Sequence, residues 1–329
     1  MNGVEWGKRL GVLVLVAALV VAGASTGAMV GGGGGTPDAE PLALPEYRAE
    51  NATVEPLPAE GTIQPDGNQV NRGGTVVIDA GHNNRFRRSD VQPLVEALTR
   101  VGYDVEFYTQ GDLAAALEDA QAFVVIDPGS EYPPGDVDDV RRFTGQGGHL
   151  LIAGEPSRVT VGGGLFGGLI LQESRVTTLA TAYGMSLDTA YLYNQNTEYA
   201  DTNYKFITAE PAPNADIAGV NRTTMYTAAA VRAQGGQVLL RSSPKTIRSS
   251  TDDERGQYPV AVRRKNAVLV GDTTFMQPDK HNVADNEAFM AYLVEYLASS
   301  DRSSGQELTA SNGGSGGAGA PSRPADGGE

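Results

Sequence analysis

The chain of 329 residues contains no cysteine. Without a thiol it forms no disulfide, binds no zinc through thiolates, carries no lipid on cysteine and uses no cysteine nucleophile. Histidine is also scarce: the three residues His82, His149 and His281 show neither HxH nor HxxxH spacing. We therefore predict no metal site and no cofactor.

Lysine accounts for only five residues, whereas Asp plus Glu is 40 and the formal net charge is −15. No basic stripe is present to neutralise phosphates, so the composition excludes nucleic acid as a partner. An acidic surface that prefers arginine is typical of proteins kept soluble in concentrated salt, because carboxylates hold water while salt screens their repulsion. An ordinary acidic surface is the alternative.

An apolar run extends from Leu10 to Val30 behind Lys8 and Arg9. At about 1.5 Å per residue it is long enough to cross a bilayer core of about 30 Å. We predict that residues 1–30 form a single-pass anchor in the cell membrane, with the N-terminus cytoplasmic and the domain outside. The shorter run that ends at Ala24 also fits a cleaved signal peptide.

Two segments are too polar to bury a core. Residues 31–70 carry six prolines and no apolar periodicity, and residues 300–329 are mostly Gly, Ser, Ala and Asp. Both are predicted to be disordered, as a linker and a tail. One domain, residues 71–299, remains.

Within that domain, apolar strands alternate with helices. The predicted strands are Thr75–Ala80, Tyr103–Tyr108, Ala122–Asp127, His149–Ala153, Val238–Arg241, Pro259–Arg263 and Ala267–Asp272. The predicted helices begin near Ser89, Asp112, Gly135 and Gln172, the last running to Met185, and a closing helix is capped by Asp285. Fully apolar strands joined by helices indicate an α/β three-layer sandwich with a mainly parallel, flavodoxin-like sheet. Residues 191–215 are expected to be irregular.

Four segments carry a family resemblance. They are Val124–Gly129, Gly147–Pro156, Val268–Met276 and Asn282–Glu287. Together they resemble an uncharacterised family of class I glutamine-amidotransferase-like domains, frequent in halophilic archaea as single-span membrane proteins and often encoded beside MoxR-type ATPases. The resemblance implies the amidotransferase-like fold over about 75–298. In true amidotransferases a cysteine occupies a sharp turn after a strand, and here that turn reads Gly154-Glu155-Pro156.

Strand-end side chains are the candidate site. Ligands of doubly wound sheets bind at the carboxyl ends of strands, where this chain places Asp79, Asp127, Glu155 and Asp272. If His82 and His281 converge with these carboxylates, they form an acid–base or hard-metal site. The alternative is that the aspartates accept backbone N–H groups in loops.

The loop Gly81–Arg88 is the only locally basic patch, and it precedes a helix N-terminus where an anion could be held. Pairing of its arginines with neighbouring carboxylates is the alternative. The predicted ligand-binding residues are Asp79, His82, Asn83, Arg85, Asp127, Glu155 and Asp272.

Residues Gly162–Gly167 match GxGxxG, but they follow the fourth strand and not the first, so we interpret them as a mobile apolar flap. Residues 71–299 contain no GxxxxGK[ST], GxSxG or HExxH sequence.

Two functions remain. The preferred one is a membrane-anchored extracytoplasmic module that binds an envelope protein or a small ligand without catalysis. The resemblance adds a possible assembly that includes a MoxR-type ATPase. The alternative is a hydrolase or metal-dependent enzyme that uses His82, Glu155, Asp272 and His281.

Overall fold

The computed structural model describes residues 56–71, 73–161, 168–250, 254–306 and 308. The predicted anchor, residues 1–30, lies outside these residues, as do most of the predicted linker and tail. Within the described part of the chain, no helix combines the length and the hydropathy needed to cross a bilayer.

The domain contains fifteen strands and five α-helices among the described residues. In the first half these are β1 Gly74–Asp79, α1 Gln92–Arg100, β2 Tyr103–Tyr108, α2 Leu113–Leu117, β3 Ala120–Ile126, α3 Pro134–Gly145, β4 His149–Ala153, β5 Arg158–Val161, β6 Leu169–Gln172 and α4 Thr177–Ala182. In the second half they are β7 Met185–Tyr193, β8 Phe206–Pro211, β9 Thr223–Tyr226, β10 Ala229–Ala233, β11 Gln237–Ser242, β12 Thr246–Arg248, β13 Arg255–Gly256, β14 Pro259–Arg264, β15 Ala267–Val270 and α5 Asn286–Ala298.

The main sheet has nine strands in the order β2-β1-β3-β4-β15-β14-β11-β8-β9. Strands β2, β1, β3, β4 and β15 pair in parallel. The remaining pairs are antiparallel, including the hairpin of β14 and β15. The sheet is therefore mixed, with a parallel half that matches the prediction and an antiparallel half that extends it.

Helices cover both faces of the parallel half. In β3, Val124 and Ile126 belong to the apolar cluster that includes α1 and α5, whereas Phe123 and Val125 belong to the cluster that includes α2, α3 and α4. Successive side chains of a strand point to opposite faces, so a run that is buried throughout packs two cores at once. This accounts for the uninterrupted apolar sequence of the strand.

Two smaller sheets accompany the main one. Strands β10, β7, β12 and β13 form an antiparallel sheet in that order, and β5 pairs with β6 in a two-stranded hairpin. The amide of Ala229 in β10 donates to the carbonyl of Gly271 at 2.7 Å, which joins the four-stranded sheet to the end of β15.

Three sequence predictions differ from the structure. The helix predicted from Gln172 to Met185 is confined to α4, because residues 169–172 form a strand of the hairpin. The region 191–215, expected to be irregular, contains the end of β7 and all of β8. Asp285 precedes α5 but its carboxylate does not cap that helix, since it accepts the amides of Asn221 and Arg222.

The folded unit extends past both predicted domain bounds, 71 and 299. On the N-terminal side, Ala59 forms a bridge with Val283, and Ile63 is buried in the core. On the C-terminal side, the buried Arg302 donates to the carbonyls of Glu118 and Ala120 at 2.7 Å. Packing of this kind leaves no signal in the sequence, because it is made by single residues that show no apolar periodicity.

Candidate functional site at the carboxyl edge of the sheet

Four buried carboxylates lie along the carboxyl ends of adjacent parallel strands. Asp79 ends β1, Asp127 follows β3, Glu155 follows β4 and Asp272 follows β15, and all four are at most 2% exposed. Because β1, β3, β4 and β15 are neighbours in the sheet, the sequence rule for parallel strands brings these residues to one edge. They fall into three groups with different partners.

The His82 group consists of Asp79, His82, Asn84, Tyr132 and Asp136. The Nδ1 atom of His82 lies 2.9 Å from Oδ1 of Asp79, and its Nε2 atom lies 3.2 Å from Oδ2 of Asp136. The hydroxyl of Tyr132 donates to Oδ2 of Asp79 at 2.5 Å, and Asn84 Nδ2 donates to the same oxygen at 3.1 Å. The imidazole is therefore held between two carboxylates.

The charges around His82 act on its protonation. Burial lowers the pKa of His82, but the hydrogen bonds and the charges of Asp79 and Asp136 outweigh burial, so that the pKa lies above its ordinary value. Burial, followed by the charge of Asp79, raises the pKa of Tyr132 well above its usual range, so its phenol keeps its proton. The carboxylate of Asp79 thus lies between an imidazole and a phenol, and contacts both.

The Asp127 group is a double ion pair. Arg85 donates to Asp127 through Nε to Oδ2 at 3.1 Å and through Nη2 to Oδ1 at 3.0 Å. Arg158 Nη2 donates to Oδ2 of the same carboxylate at 3.1 Å. Asp127 has a φ of 37°, a left-handed conformation that Asp and Asn tolerate better than most residues. Arg85 also donates to the carbonyl of Glu173 at 2.5 Å, which ties the β1 loop to the segment after β6.

The Glu155 and Asp272 carboxyls form the third group. Thr273 donates to Oε1 of Glu155 through its amide at 2.9 Å and its hydroxyl at 2.5 Å. Asp272 accepts the amide of Tyr226 at 2.7 Å and that of Thr274 at 2.8 Å. Burial, followed by the charge of Asp272, raises the pKa of Glu155. Burial also raises the pKa of Asp272, and backbone N–H groups oppose that change.

His281 lies apart from these groups. Its Nδ1 atom is 3.0 Å from the carbonyl of Pro278, and its side chain lines a surface cavity with Gln92 and Glu96 of α1. Within the described residues, no cluster of three or more His, Asp or Glu side chains could hold a metal ion. The structure thus joins His82 to Asp79, and joins Glu155 to Asp272, but it does not join the two histidines.

The arginines of the basic loop are engaged with the protein itself. Arg85 pairs with Asp127, Arg87 lies 3.1 Å from Asp90, and Arg88 stacks over Phe107 at 4.5 Å. Asn83 Nδ2 donates to Ser130 Oγ at 2.6 Å. Of the two interpretations of this loop, the contacts follow the one in which its arginines bind neighbouring side chains.

Sequence reasoning missed three residues of this edge: Tyr132, Asp136 and Arg158. Tyr132 and Asp136 belong to the segment after β3, where Asp136 lies in the first turn of α3, and nothing in that sequence predicts a contact with His82 or Asp79. Arg158 begins β5, and nothing in its sequence neighbourhood predicts a contact with Asp127. Each becomes a site residue only through the pairing of neighbouring strands.

Comparisons with known proteins bear on the fold. No protein-family profile matches the chain, and no curated protein matches it. The N-terminal domain of mmIFT52 superimposes with a TM-score of 0.54 at 13% identity, over 69% of this chain and 98% of that one. A GMP synthase component of Thermoplasma acidophilum matches with a TM-score of 0.35 at 8% identity, over 67% and 95% of the two chains. Identities this low indicate the fold alone, and the second score is too low to carry an argument.

Proposed function

We propose that this protein is a membrane-anchored, extracytoplasmic binding or assembly module that performs no catalysis and binds its partner at the carboxyl edge of its sheet. The fold that supports this proposal is an α/β domain in which a turn without cysteine, Gly154-Glu155-Pro156, follows β4. The amidotransferase-like family described above remains the family that we propose for it.

The observation that carries the proposal is the state of the strand-end carboxylates. Asp127 is occupied by two arginines, Asp79 by Tyr132, Asn84 and the imidazole of His82, and Glu155 by Thr273. A general base or nucleophile needs an acceptor that faces the substrate. Carboxylates whose oxygens already accept from the chain itself favour a structural role, in which they fix the loops of this edge.

Two hydroxyls at the same edge are buried without a hydrogen-bond partner among the described residues. They are Ser157 Oγ and Ser174 Oγ. Such groups are rare in folded proteins, because each loses its bonds to water without replacement. They flank the β5–β6 hairpin, next to Arg158 and Glu173, at the edge where we propose that the partner binds.

Site-directed photo-crosslinking in native membranes tests this. The chain has no cysteine, so one cysteine introduced at the exposed Glu131, near the carboxyl edge, can carry the probe without background. A matched probe at exposed Gln237, which begins β11 at the opposite edge, is the control. We expect one partner species from Glu131→Cys and none from Gln237→Cys. Equal crosslinking from both positions contradicts binding at the carboxyl edge.

The membrane location is proposed from the run Leu10–Val30 with its flank of Lys8 and Arg9. In intact cells, a membrane-impermeant maleimide should label Gln237→Cys and leave Asn2→Cys unlabelled until the membrane is opened. Labelling of both, or labelling of Asn2→Cys alone, contradicts the proposed orientation. The proposed MoxR-type ATPase would be recovered with the full-length chain after detergent extraction if it belongs to the same assembly.

The Glu155 and Asp272 pair supports a second candidate, a hydrolase with acid–base chemistry. Two buried carboxyls with raised pKa values are the arrangement that lets one act as acid and the other as base. This candidate predicts that Glu155→Gln abolishes hydrolysis of any substrate found while the melting temperature changes little. If activity survives in Glu155→Gln, this candidate is wrong.

A further inference from the structure

The β5–β6 hairpin exposes most of the large apolar surface of the described residues. Val159 is 63% exposed, Val161 76%, Leu169 78%, Ile170 50% and Leu171 59%, and Tyr204 is the only other exposed large apolar side chain in the part of the chain that the structure describes. The chain has a net charge of −15, so apolar side chains at solvent-exposed positions stand out. Contiguous exposed apolar residues of this kind indicate a contact surface.

The hairpin also lacks charge. From Val159 to Gln172 the sequence contains no Asp, Glu, Lys or Arg, whereas Arg158 and Glu173 stand at either end. Among the described residues its two strands pair only with each other, so the hairpin is not an extension of either larger sheet. The apolar stretch is thus a separate element with charged residues at its base.

The register gathers the apolar side chains of the hairpin mainly on one face. Val159 pairs with Leu171 and Val161 with Leu169, which puts these four on one face. Ile170, opposite Thr160, lies on the other face and is half exposed. Arg158, Thr160 and Gln172 share that face, so the hairpin has one apolar face and one mostly polar face, the arrangement of an element that lies in the surface of a bilayer.

A second copy of the chain fits less well. Stable protein interfaces bury about 800 Å² on each partner, and four side chains on one face cannot supply that area by themselves. A bilayer needs no complementary partner surface, because each apolar side chain that leaves water contributes independently.

We propose that the β5–β6 hairpin inserts shallowly into a lipid bilayer and gives the domain a second membrane contact beside its anchor. This inference rests on the membrane location proposed above. The insertion is shallow because the outer edges of the two strands carry unpaired N–H and C=O groups, which hydrocarbon does not satisfy. Side chains enter the acyl region while the backbone remains at the level of the head groups.

The hairpin would orient the carboxyl edge toward the membrane. Arg158, at its base, binds Asp127, and Asp127 binds Arg85, so the hairpin is fixed to the row of strand-end carboxylates. A partner of this edge would then be met close to the lipid surface, and membrane proteins are favoured among the partners of the module.

Fluorescence of the full-length chain in neutral phosphatidylcholine vesicles tests the inference. Single cysteines at Val161 and Leu169 carry a polarity-sensitive dye, and the same dye at Gln237, on the opposite edge, is the control. We expect blue-shifted emission at Val161 and Leu169 and quenching by nitroxide-labelled lipids, with no change at Gln237. Adding Val159→Asp and Leu171→Asp should return the quenching to the control level, and melting temperatures should be unchanged because both residues are exposed.

Carbonate extraction separates failure of the hairpin from failure of the anchor. If the chain resists extraction but dyes at Val161 and Leu169 remain as hydrated as the dye at Gln237, the hairpin inference is wrong and the anchor stands. If the dyes respond to lipid but carbonate releases the chain, the hairpin inference holds and the proposed anchor is wrong. A dimer in detergent that the two aspartates dissociate assigns the face to a second copy and overturns the inference.

Discussion

The imidazole of His82 stacks on the ring of Tyr132, with centroids 3.8 Å apart and planes inclined by 15°, and both side chains bind the carboxylate of Asp79. Asp79 ends β1, and Tyr132 lies between β3 and α3. One buried carboxylate therefore fixes the loops that follow two neighbouring strands. The raised pKa of His82 makes the group sensitive to pH.

His82 and His149 should titrate on opposite sides of 6.5, the ordinary pKa of histidine. The carboxylates of Asp79 and Asp136 overcome burial and raise the pKa of His82 above 6.5. Burial is the main effect on His149 and lowers its pKa below 6.5. An NMR titration of the imidazole signals measures both, and His82→Gln assigns one of them. Both signals titrating at one pH contradicts the electrostatics described here.

The His82 group also predicts how stability depends on pH. A histidine whose pKa rises on folding stabilises the native state fully below its unfolded pKa of about 6.5, and this contribution is lost as pH rises through the higher folded value. Urea midpoints should therefore fall over that interval in the wild type, by an amount that His82→Gln removes. Asp136→Asn is the matched variant, since it keeps Asp79 and should reduce the same step without abolishing it. A slope unchanged in His82→Gln would assign the pH dependence to other groups.

The Glu155 and Asp272 pair should respond asymmetrically to amide substitution. Glu155 has a raised pKa, so at neutral pH its protonated form resembles glutamine, which can still accept from Thr273. Asp272 accepts two backbone amides on two oxygens, and asparagine offers one acceptor only. At about pH 4, where glutamate is mainly protonated in the unfolded chain as well, we expect Glu155→Gln to change the free energy of unfolding by less than about 1 kcal/mol. At neutral pH, Asp272→Asn should lower it by about 1–3 kcal/mol.

The direction in which the stability difference changes with pH tests the protonation of Glu155. An acid whose pKa is raised by folding stabilises the native state below its unfolded pKa, and this contribution is lost as pH rises toward the folded value. Glu155→Gln should therefore gain stability relative to the wild type as pH rises from about 4.5, the pKa in the unfolded chain, to about 8, the pKa in the folded protein. Chemical denaturation at several pH values measures this difference. If the free energy of unfolding of Glu155→Gln fell relative to the wild type at higher pH, Glu155 would be ionised in the native state.

The parallel half of the fold could be predicted from the sequence because its strands are buried on both faces. Runs such as Phe123–Ile126 and Leu150–Ala153 are apolar without interruption, and the rule for parallel strands then places Asp79, Asp127, Glu155 and Asp272 at one edge. The inward face of α4, with Leu179 and Ala180, also follows from helical spacing.

The antiparallel half could not be predicted in the same way. Strand β7 has both buried and exposed positions and contains Asp188 and two tyrosines, so neither a period of two nor an apolar run marks it. His281 follows Asp272 by nine residues, but an intervening 3-10 turn, Thr274–Met276, leads the chain toward α1. Contacts that depend on where a loop returns, such as Arg158 with Asp127, carry no local signal.

Gly271 should tolerate no side chain. A Cβ atom added there would overlap the carbonyl of Ala229 in β10, where the two sheets are joined. Because the obstacle is backbone, relief requires the sheets to separate, and we expect Gly271→Ala to lower the free energy of unfolding by about 3 kcal/mol or more. Gly135→Ala is the control, since open space surrounds Gly135 in α3 and alanine favours helix by about 1 kcal/mol. Thermal unfolding of the two variants should shift in opposite directions.

Replacing Asp127 should destabilise the protein more than replacing its partner Arg158. Asp127→Asn keeps the side-chain shape and tolerates the φ of 37°, but it removes the charge that faces Arg85 and Arg158. Arg85 is 24% exposed and Arg158 41%, so solvent screens part of this loss, and we expect a decrease of about 1–3 kcal/mol in the free energy of unfolding. Arg158→Gln, which leaves the pair with Arg85 intact, should lower it by less than about 1 kcal/mol.

Denaturation of both variants in low and high salt measures the charge effect, because the difference between them should shrink as salt increases. An Asp127→Asn variant as stable as Arg158→Gln would mean that the backbone contact from the Arg85 amide to the Asp127 carbonyl, at 3.0 Å, holds the two loops together by itself.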